Sequence, residues 1–483
     1  MATSMAPRYL GKGRIWRTSS AALVAALLVA GCVATPGYQA PNFPFGARFA
    51  GAPKAQALPV LLENTEWWRR LNDPVLDRLI TVALQDNLTL AIARERVVEA
   101  QTERGRVPGA GLLSPQVSAT ASGTNGGALS SDAQARLGLD WAIDPYGSKQ
   151  GSVNAATGRA EAASDDADAA QLVVLQNVTN SYLDLRLRQR LVALSKRELS
   201  SRNQTLALAR KLSDSGEGTA LDITRSQARV AEIQAQLPGQ EAAVAARQAE
   251  IAVLAGVAPG QLPPDLTAGL LRTQDQPRPQ MTPDVGIPAD LLRNRPDIRA
   301  AERRYYAAVA EVGVASASLY PRLSLSGAIS LNAASRDTSY YFGPVLQFPS
   351  LPGGTARAGV AARHSQARQA HAAWKATVLN ALVEVETALI DYRAVSSAQT
   401  ASARAARLYR EALEMTRDVV GNGEATLSDL TAAETAVAGS DAALAETIFR
   451  QASSFAALNI RLGSGHAVKP QVAAPVAPTA PKP

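Results

Sequence analysis

Chemistry in a protein needs nucleophiles, proton donors or metal ligands held close together, and this chain is poor in all three. It has three histidines, His364, His371 and His466. The first two lie seven residues apart on a segment that reads as helix and could share a face. Without cysteines or paired carboxylates they do not make a zinc site, and a solvated face is expected. Asp165, Asp166 and Asp168 look like a calcium run, but the spacing and the missing distal glutamate fail the loop pattern, so these acids are also expected on a solvated helix face. Glu384 and Glu386 point to different sides of a helix. No P-loop, GxSxG or zinc-protease motif occurs. The expectation is a protein that is not an enzyme and has neither cofactor nor metal.

One residue does invite chemistry. Cys32 is the sole cysteine, which excludes a disulfide framework and a cysteine metal site. It follows a basic stretch, Arg8 to Arg17, and a short apolar stretch, Ala21 to Ala30. That order is a secretory signal peptide over 1–31, and it is too short to cross a bilayer, which takes ~20 apolar residues. Val29-Ala30-Gly31-Cys32 resembles a bacterial lipobox, in which the cysteine is diacylated and becomes the new N-terminus. Val33 follows where an inner-membrane retention signal would place Asp. Cys32 is therefore the expected lipidation site, and the outer membrane of a Gram-negative bacterium the expected location.

The formal net charge is +7, and the signal segment carries four of the basic residues and no acid, leaving +3 on the processed chain. That is too mild for a nucleic-acid partner. Aromatics make up only 5% of the residues while alanine is abundant, a composition suited to long helices packed closely in layers.

The elements repeat. LSPQVSATASG at 113–123 returns as LYPRLSLSGAI at 319–329, GEGTALD at 216–222 as GEATLSD at 423–429, and SYLDLR at 181–186 as ALIDYR at 388–393. The offset is 206 for Pro115 and Pro321, and 207 for Gly216 and Gly423 and for Asp184 and Asp391. The chain is thus one helix–strand–strand–helix unit built twice. Expected boundaries are a lipidated N-terminal extension over 32–65, a first repeat over 66–262, an inter-repeat segment over 263–288, a second repeat over 289–463, and a disordered Pro/Ala tail over 464–483.

Each half holds two strands. In 133–143, Ala133, Ala135, Leu137, Leu139, Trp141 and Ile143 share one face against Gln134, Arg136 and Asp140, a period of two. In 321–331, Leu323, Leu325, Ile329 and Leu331 alternate with Arg322, Ser324, Ser326 and Ser330. Segment 115–123 alternates more weakly, and 340–349 is interrupted by Gly343-Pro344. The lengths approach the ~9–11 residues of a transmembrane β-strand; two soluble hairpins are the alternative. Four strands cannot close a barrel, since single-chain barrels begin at ~8, and an open edge in lipid leaves backbone groups unsatisfied. Spanning strands therefore require several chains to share one barrel.

The rest is helix. No proline occurs from about Ser148 to Leu212, a run of ~95 Å. Leu175, Val178, Tyr182 and Leu185 step by three, four and three, as do Leu382, Val385, Leu389 and Tyr392, the spacing of helices packed side by side. Leu183, Leu187, Leu191 and Leu194 mark a second face. Each long helix ends at a glycine turn, where Gly216, Gly218, Gly421 and Gly423 fit C-cap and turn positions. Thr219 and Thr426 fit N-caps of the returning helices.

These pieces resemble the TolC-like outer-membrane efflux proteins, in their NodT- and OprM-like lipoprotein branch, over about Trp67 to Gly463. Trp67-Trp68 with Asp73-Pro74, Trp141-Ala142-Ile143-Asp144-Pro145-Tyr146-Gly147, and above all Leu291-Leu292-Arg293-Asn294-Arg295-Pro296-Asp297-Ile298 with Ala301-Glu302 and Tyr320-Pro321 carry the likeness. The resemblance implies a mainly α fold with a small transmembrane β part. It also implies a homotrimer whose four strands per chain build a shared barrel continued by a long α-helical periplasmic barrel. A periplasmic adaptor would meet the tips at Gly216, Gly218, Thr219, Gly421, Gly423 and Thr426, and an inner-membrane RND-type pump would deliver cargo. Ala142 and Pro145 depart from the pattern. Ala432 and Thr435 replace the Asp and Arg that narrow the periplasmic end in relatives; Asp429 and Glu434 could form acidic rings there instead, or be solvated helix acids. The function implied is an efflux duct for small molecules. A duct for type I protein secretion and a pore-less periplasmic scaffold are the alternatives.

Overall fold

The computed structural model describes residues 37–50, 66–107, 112–122, 130–280, 288–332, 335–349 and 353–466. The signal segment, Cys32 and the tail beyond 466 lie outside the described residues.

The duplication is visible element by element. The first half has α1 (Pro74–Asp86), α2 (Leu88–Gly105), β1 (Leu112–Ser122), β2 (Ser130–Ile143), α3 (Ser148–Asp214) and α4 (Ala220–Leu254). After α5 (Pro264–Leu271) and α6 (Leu291–Asn294), the second half repeats the pattern in α7 (Pro296–Ala317), β3 (Arg322–Asn332), β4 (Thr338–Gln347), α8 (Gly354–Gly421) and α9 (Leu427–Arg461). At 1.5 Å per residue, the 67 residues of α3 and the 68 of α8 each span about 100 Å. Among the described residues no helix is long and apolar enough to cross a membrane.

The four strands form one antiparallel sheet in the order β1-β2-β3-β4. Pairs such as Leu137–Ile329 and Ile329–Tyr340 put the apolar residues of neighbouring strands in rows on one face, where Leu137, Trp141, Ile329, Tyr340 and Phe342 are all exposed. Despite Gly343-Pro344, β4 runs unbroken, with Pro344 opposite Leu325. It is an edge strand, and an edge accommodates the missing amide hydrogen. Each strand pair turns into its long helix through a glycine in the left-handed region, Gly147 at φ 75° and Gly353 at φ 74°. In the first half, Asp144 accepts hydrogen bonds from the Ser148 and Lys149 amides at 2.8 and 2.6 Å and caps α3.

The helices lie side by side: α3 packs on α2, α4, α7 and α9, and α8 packs on α7 and α9. Leu175, Val178, Tyr182 and Leu185 are buried, as are Val385 and Leu389, so the heptad positions are core. Small residues permit the closest approaches; a Cβ on Gly158 would come within 2.8 Å of the Tyr306 ring on α7. One core cluster gathers Trp67, Trp68, Leu76, Leu79, Leu175 and Phe455 midway along the long helices, and a second gathers Phe49, Ile298, Trp374, Val378 and Leu389.

The described parts of the segments outside the two repeats are packed. Residues 37–50 lie along α7 and α8: the Tyr38 hydroxyl donates to Glu302 at 2.8 Å, Phe43 meets Trp374, and Phe49 is buried. In the inter-repeat segment, Leu266 and Leu270 of α5 are buried. The chain stays packed through His466, two residues beyond the expected start of the disordered tail, with Ser464 and His466 buried.

Candidate functional site

The two helical tips are near copies. In the first, the amides of Glu217 and Gly218 both donate to Leu212 O at 2.9 Å, and Gly216 has φ 84°. In the second, the Glu424 amide donates to Val419 O at 3.0 Å, and Gly423 has φ 78°. These bonds satisfy the last carbonyls of α3 and α8. Gly218 is needed for space, since its Cβ would stand 2.8 Å from the Ser213 nitrogen, whereas Gly421 has open surroundings. Thr219 and Thr426 are the N-caps expected, each in a reciprocal capping box with Asp222 or Asp429. Leu413, Val420 and Leu430, packed with Leu208 and Val437, hold the tips together.

The two acids that could form rings at the periplasmic end have different surroundings within the chain. Asp429 is exposed, and its carboxylate accepts from the Thr426 hydroxyl and amide at 2.6 and 3.0 Å. The Thr426 hydroxyl first, and then its amide, hold the Asp429 carboxyl below its ordinary value of 3.8. Glu434 is not a solvated helix acid. It is 4% exposed and faces Arg202 on α3, itself 4% exposed, at 2.8 Å. Thr205 donates to the other Glu434 oxygen at 2.9 Å, and Arg202 also donates to Thr435 Oγ1 at 2.8 Å. This buried pair ties hairpin α3–α4 to hairpin α8–α9.

Midway along the molecule, Arg186 is fully buried and donates to the Tyr182 hydroxyl, Gln189, Arg272 O, Gly269 O and Gln274 at 2.7–3.2 Å. The Tyr182 hydroxyl donates to Asp73 at 2.6 Å. Burial first, then the Asp73 charge, pushes the Tyr182 phenol up, so it remains a donor. Asp73 in turn caps α1 through the Val75 and Leu76 amides. The network straps the inter-repeat segment across α3. A separate network in the second half centres on Arg295, which is bidentate to Asp297 at 3.0 and 2.7 Å, meets Glu384 at 2.9 Å, and donates to Arg461 O at 2.9 Å. The most distinctive motif of the sequence is thus a junction joining the start of α7 to α8 and the end of α9.

The residues singled out for metal or catalysis are structural. Asp165 and Asp168 pair with Arg299 at 3.0 and 3.1 Å, and Asp166 with Arg304. They clamp α3 to α7, where a solvated face was expected. His371 is half-buried and stacks on Trp374, while His364 is exposed. Among the described residues no group of His, Cys, Asp or Glu is placed to hold a metal ion. Sequence reasoning missed Arg186 and Arg202, single arginines in helices rich in arginine. It also missed Gly256 and Gly463, whose spacing of 207 was a usable signal. With φ of 80° and 86° they close α4 and α9, and a Cβ on either would stand 2.1 Å from Asp86 O or 2.5 Å from Asn294 O.

The sequence matches the family model described as outer membrane efflux protein over residues 79–257 and 287–464. It is 32% identical to Nodulation protein T of Rhizobium leguminosarum bv. trifolii over 454 residues, covering 91% of this chain and 96% of that one. It is 26% identical to the toluene efflux pump outer membrane protein TtgC of Pseudomonas putida over 419 residues, covering 82% of each. The fold superposes on the outer-membrane channel OprN with a TM-score of 0.79 at 28% identity, covering 90% of this chain and 99% of that one. It superposes on VceC of Vibrio cholerae with a TM-score of 0.73 at 26% identity, covering 84% and 99%. The resemblance read from the motifs holds, and the chain belongs to the outer membrane efflux protein family, as an outer-membrane efflux channel.

Proposed function

We propose that three copies of this chain close into one lipid-anchored duct, the exit of a tripartite pump that expels small molecules. The observation that carries this is the four-stranded sheet: one face is apolar and exposed, and neither β1 nor β4 has a second neighbour among the described residues. Such a sheet is unsatisfied in lipid until copies join edge to edge. The long helices continue the cylinder, and their tips present Gly216, Gly218, Thr219, Gly421, Gly423 and Thr426 to a periplasmic adaptor protein. An inner-membrane RND-type pump supplies cargo through that adaptor, in keeping with the pump named for the relative TtgC. The duct itself does no covalent chemistry.

Acylated Cys32 holds the duct in the outer membrane. Tyr38 rests on Tyr306, with ring centroids 4.9 Å apart. From Tyr306 to Ala317, α7 climbs about 17 Å toward the strands. The six residue-to-residue steps from Tyr38 to Cys32 can span up to about 20 Å, enough to bring the lipid to the level where helix gives way to sheet. Acyl chains add ~0.8 kcal/mol per buried CH₂.

Light scattering of the purified protein in mild detergent tests the assembly and should return three chains per particle; a solitary, water-soluble species would overturn it. A deletion strain challenged with drugs, dyes and metals should gain sensitivity to some of them, and complementation by the intact gene should remove it.

A further inference from the structure

The long helices alternate in direction. Outgoing α3, which runs from sheet to tip, packs on two returning helices, α4 and α9, whereas outgoing α8 packs on α9, and returning α4 packs on α3. The repeat offset of 207 identifies what this leaves bare. Leu172 and Leu183 on α3 are buried in one cluster with Ile460 on α9. Their repeat mates are all uncovered: Leu379 and Ile390 on α8 are 51% and 59% exposed, and Val253 on α4 is 62% exposed. The bare side of α8 thus matches the covered side of α3, and the bare side of α4 matches the covered side of α9. In a ring closed by copies of one chain, α4 of the next copy fills on α8 the place that α9 fills on α3.

The two seams differ in their chemistry. Within the chain, α3 and α9 are latched about 18 Å above the end of α3. There Arg202 donates to Glu434, Thr435 Oγ1 and Thr431 O, while Ser201 and Thr205 donate to the Glu434 carboxylate at 2.5 and 2.9 Å. Hydrogen bonds to charged groups are the strong ones, and bonds that share one carboxylate must break together. At the same offset, the seam between copies has Tyr409 for Arg202, Gln227 for Glu434, Leu408 for Ser201 and Ala412 for Thr205. Tyr409 and Gln227 are both exposed in the single chain. The seam between copies therefore joins neutral groups at the level where the seam within a copy is held by an ion pair.

Resting on the trimeric duct proposed above, we propose that the periplasmic end opens along the seams between copies, α8 parting from the next copy's α4 while α3 and α9 stay latched within each copy. The test moves the latch. L408S/Y409R/A412T/Q227E copies it into the seam between copies. Trimers of this variant should conduct several-fold less than wild type in planar bilayers, and cells carrying it should lose drug resistance. The same variant with Q227K in place of Q227E sets like charges across the seam and should not close. R202M/E434L removes the latch within the copy and should leave the conductance of assembled trimers unchanged. A copied latch that leaves both readouts at wild-type values, closure by the Q227K version as well, or R202M/E434L trimers that conduct several-fold more overturns the proposal. A412C/Q227C in a Cys32→Ser chain gives a second reading that does not depend on the moved latch folding. A short bifunctional thiol reagent should join its copies into a covalent trimer on a denaturing gel and abolish the current. Copies that do not join, or that join and still conduct, overturn the proposal while leaving the duct intact. A wild-type protein that stays a single chain in detergent overturns the duct, and the seam proposal falls with it.

Discussion

At the scale of single residues, the molecule is held by a few buried charges whose partners come from distant parts of the chain. Arg202 and Glu434 are separated by 232 positions yet meet at 2.8 Å with almost no exposure. Removing one partner of such a pair leaves a buried charge and costs about 3–5 kcal/mol, whereas replacing both with apolar groups is often neutral. Glu434→Ala should accordingly lower the apparent melting temperature of the trimer and expose the 215–219 turn to protease, and the double change R202M/E434L should restore most of the loss. Equal losses in the single and double variants would show that the pair does not act as a unit. Asp429 gives a pH prediction. Its carboxyl is held below 3.8 by Thr426, so the cap's contribution is complete above that value and is lost as pH falls through the lowered folded one. Protease sensitivity of the second tip should stay flat from neutrality down to 3.8 and rise only below it, and Thr426→Ala should abolish that step.

At the scale of elements, each half is closed by the same joint. The left-handed glycine after α4 sits against the carbonyl of Asp86, just ahead of α2, and the one after α9 against the carbonyl of Asn294, just ahead of α7. A side chain there faces both an unfavourable φ and a collision with backbone, so Gly256→Ala or Gly463→Ala should cost at least about 1–3 kcal/mol and reduce the yield of folded trimer. The tips behave differently. Gly423→Asp mixes backbone strain with any effect on docking, because its φ is 78°. Gly421 has neither restriction, so Gly421→Asp isolates the adaptor contact. Such cells should assemble normal trimers yet lose drug resistance; full resistance would remove this position from the docking surface.

At the scale of the whole molecule, the four-stranded sheet is open at β1 and β4 among the described residues, and the proposed trimer would close it. Its anchor is predicted to lie apart from the barrel. Cys32→Ser should abolish incorporation of labelled palmitate and weaken membrane retention, and it should leave three chains per particle in detergent. Label on the Ser variant would exclude Cys32 as the acylated residue. Loss of the trimer would mean that the anchor is needed for assembly as well as retention.

Much of this was legible in the sequence because the physics is local. Period-two alternation makes a strand with two unlike faces, heptad spacing makes helices that pack side by side, and a glycine followed by threonine and aspartate three residues on makes a turn and a cap. Repetition at 206 or 207 residues then doubles whatever is found once. What the tertiary structure alone decided is where the repeat is broken. Arg186 and Arg393 are repeat mates of the same type, yet the first is fully buried and the second exposed, because the inter-repeat segment lies over α3 and supplies the carbonyls that a buried guanidinium requires. Arg202 falls opposite Tyr409 in the repeat, so its pairing with Glu434 has no echo to read. Arg136 meets Tyr341 only when β3 brings β2 and β4 to either side of it. Desolvated charges depend on partners far away in the chain, and only packing decides which partners arrive.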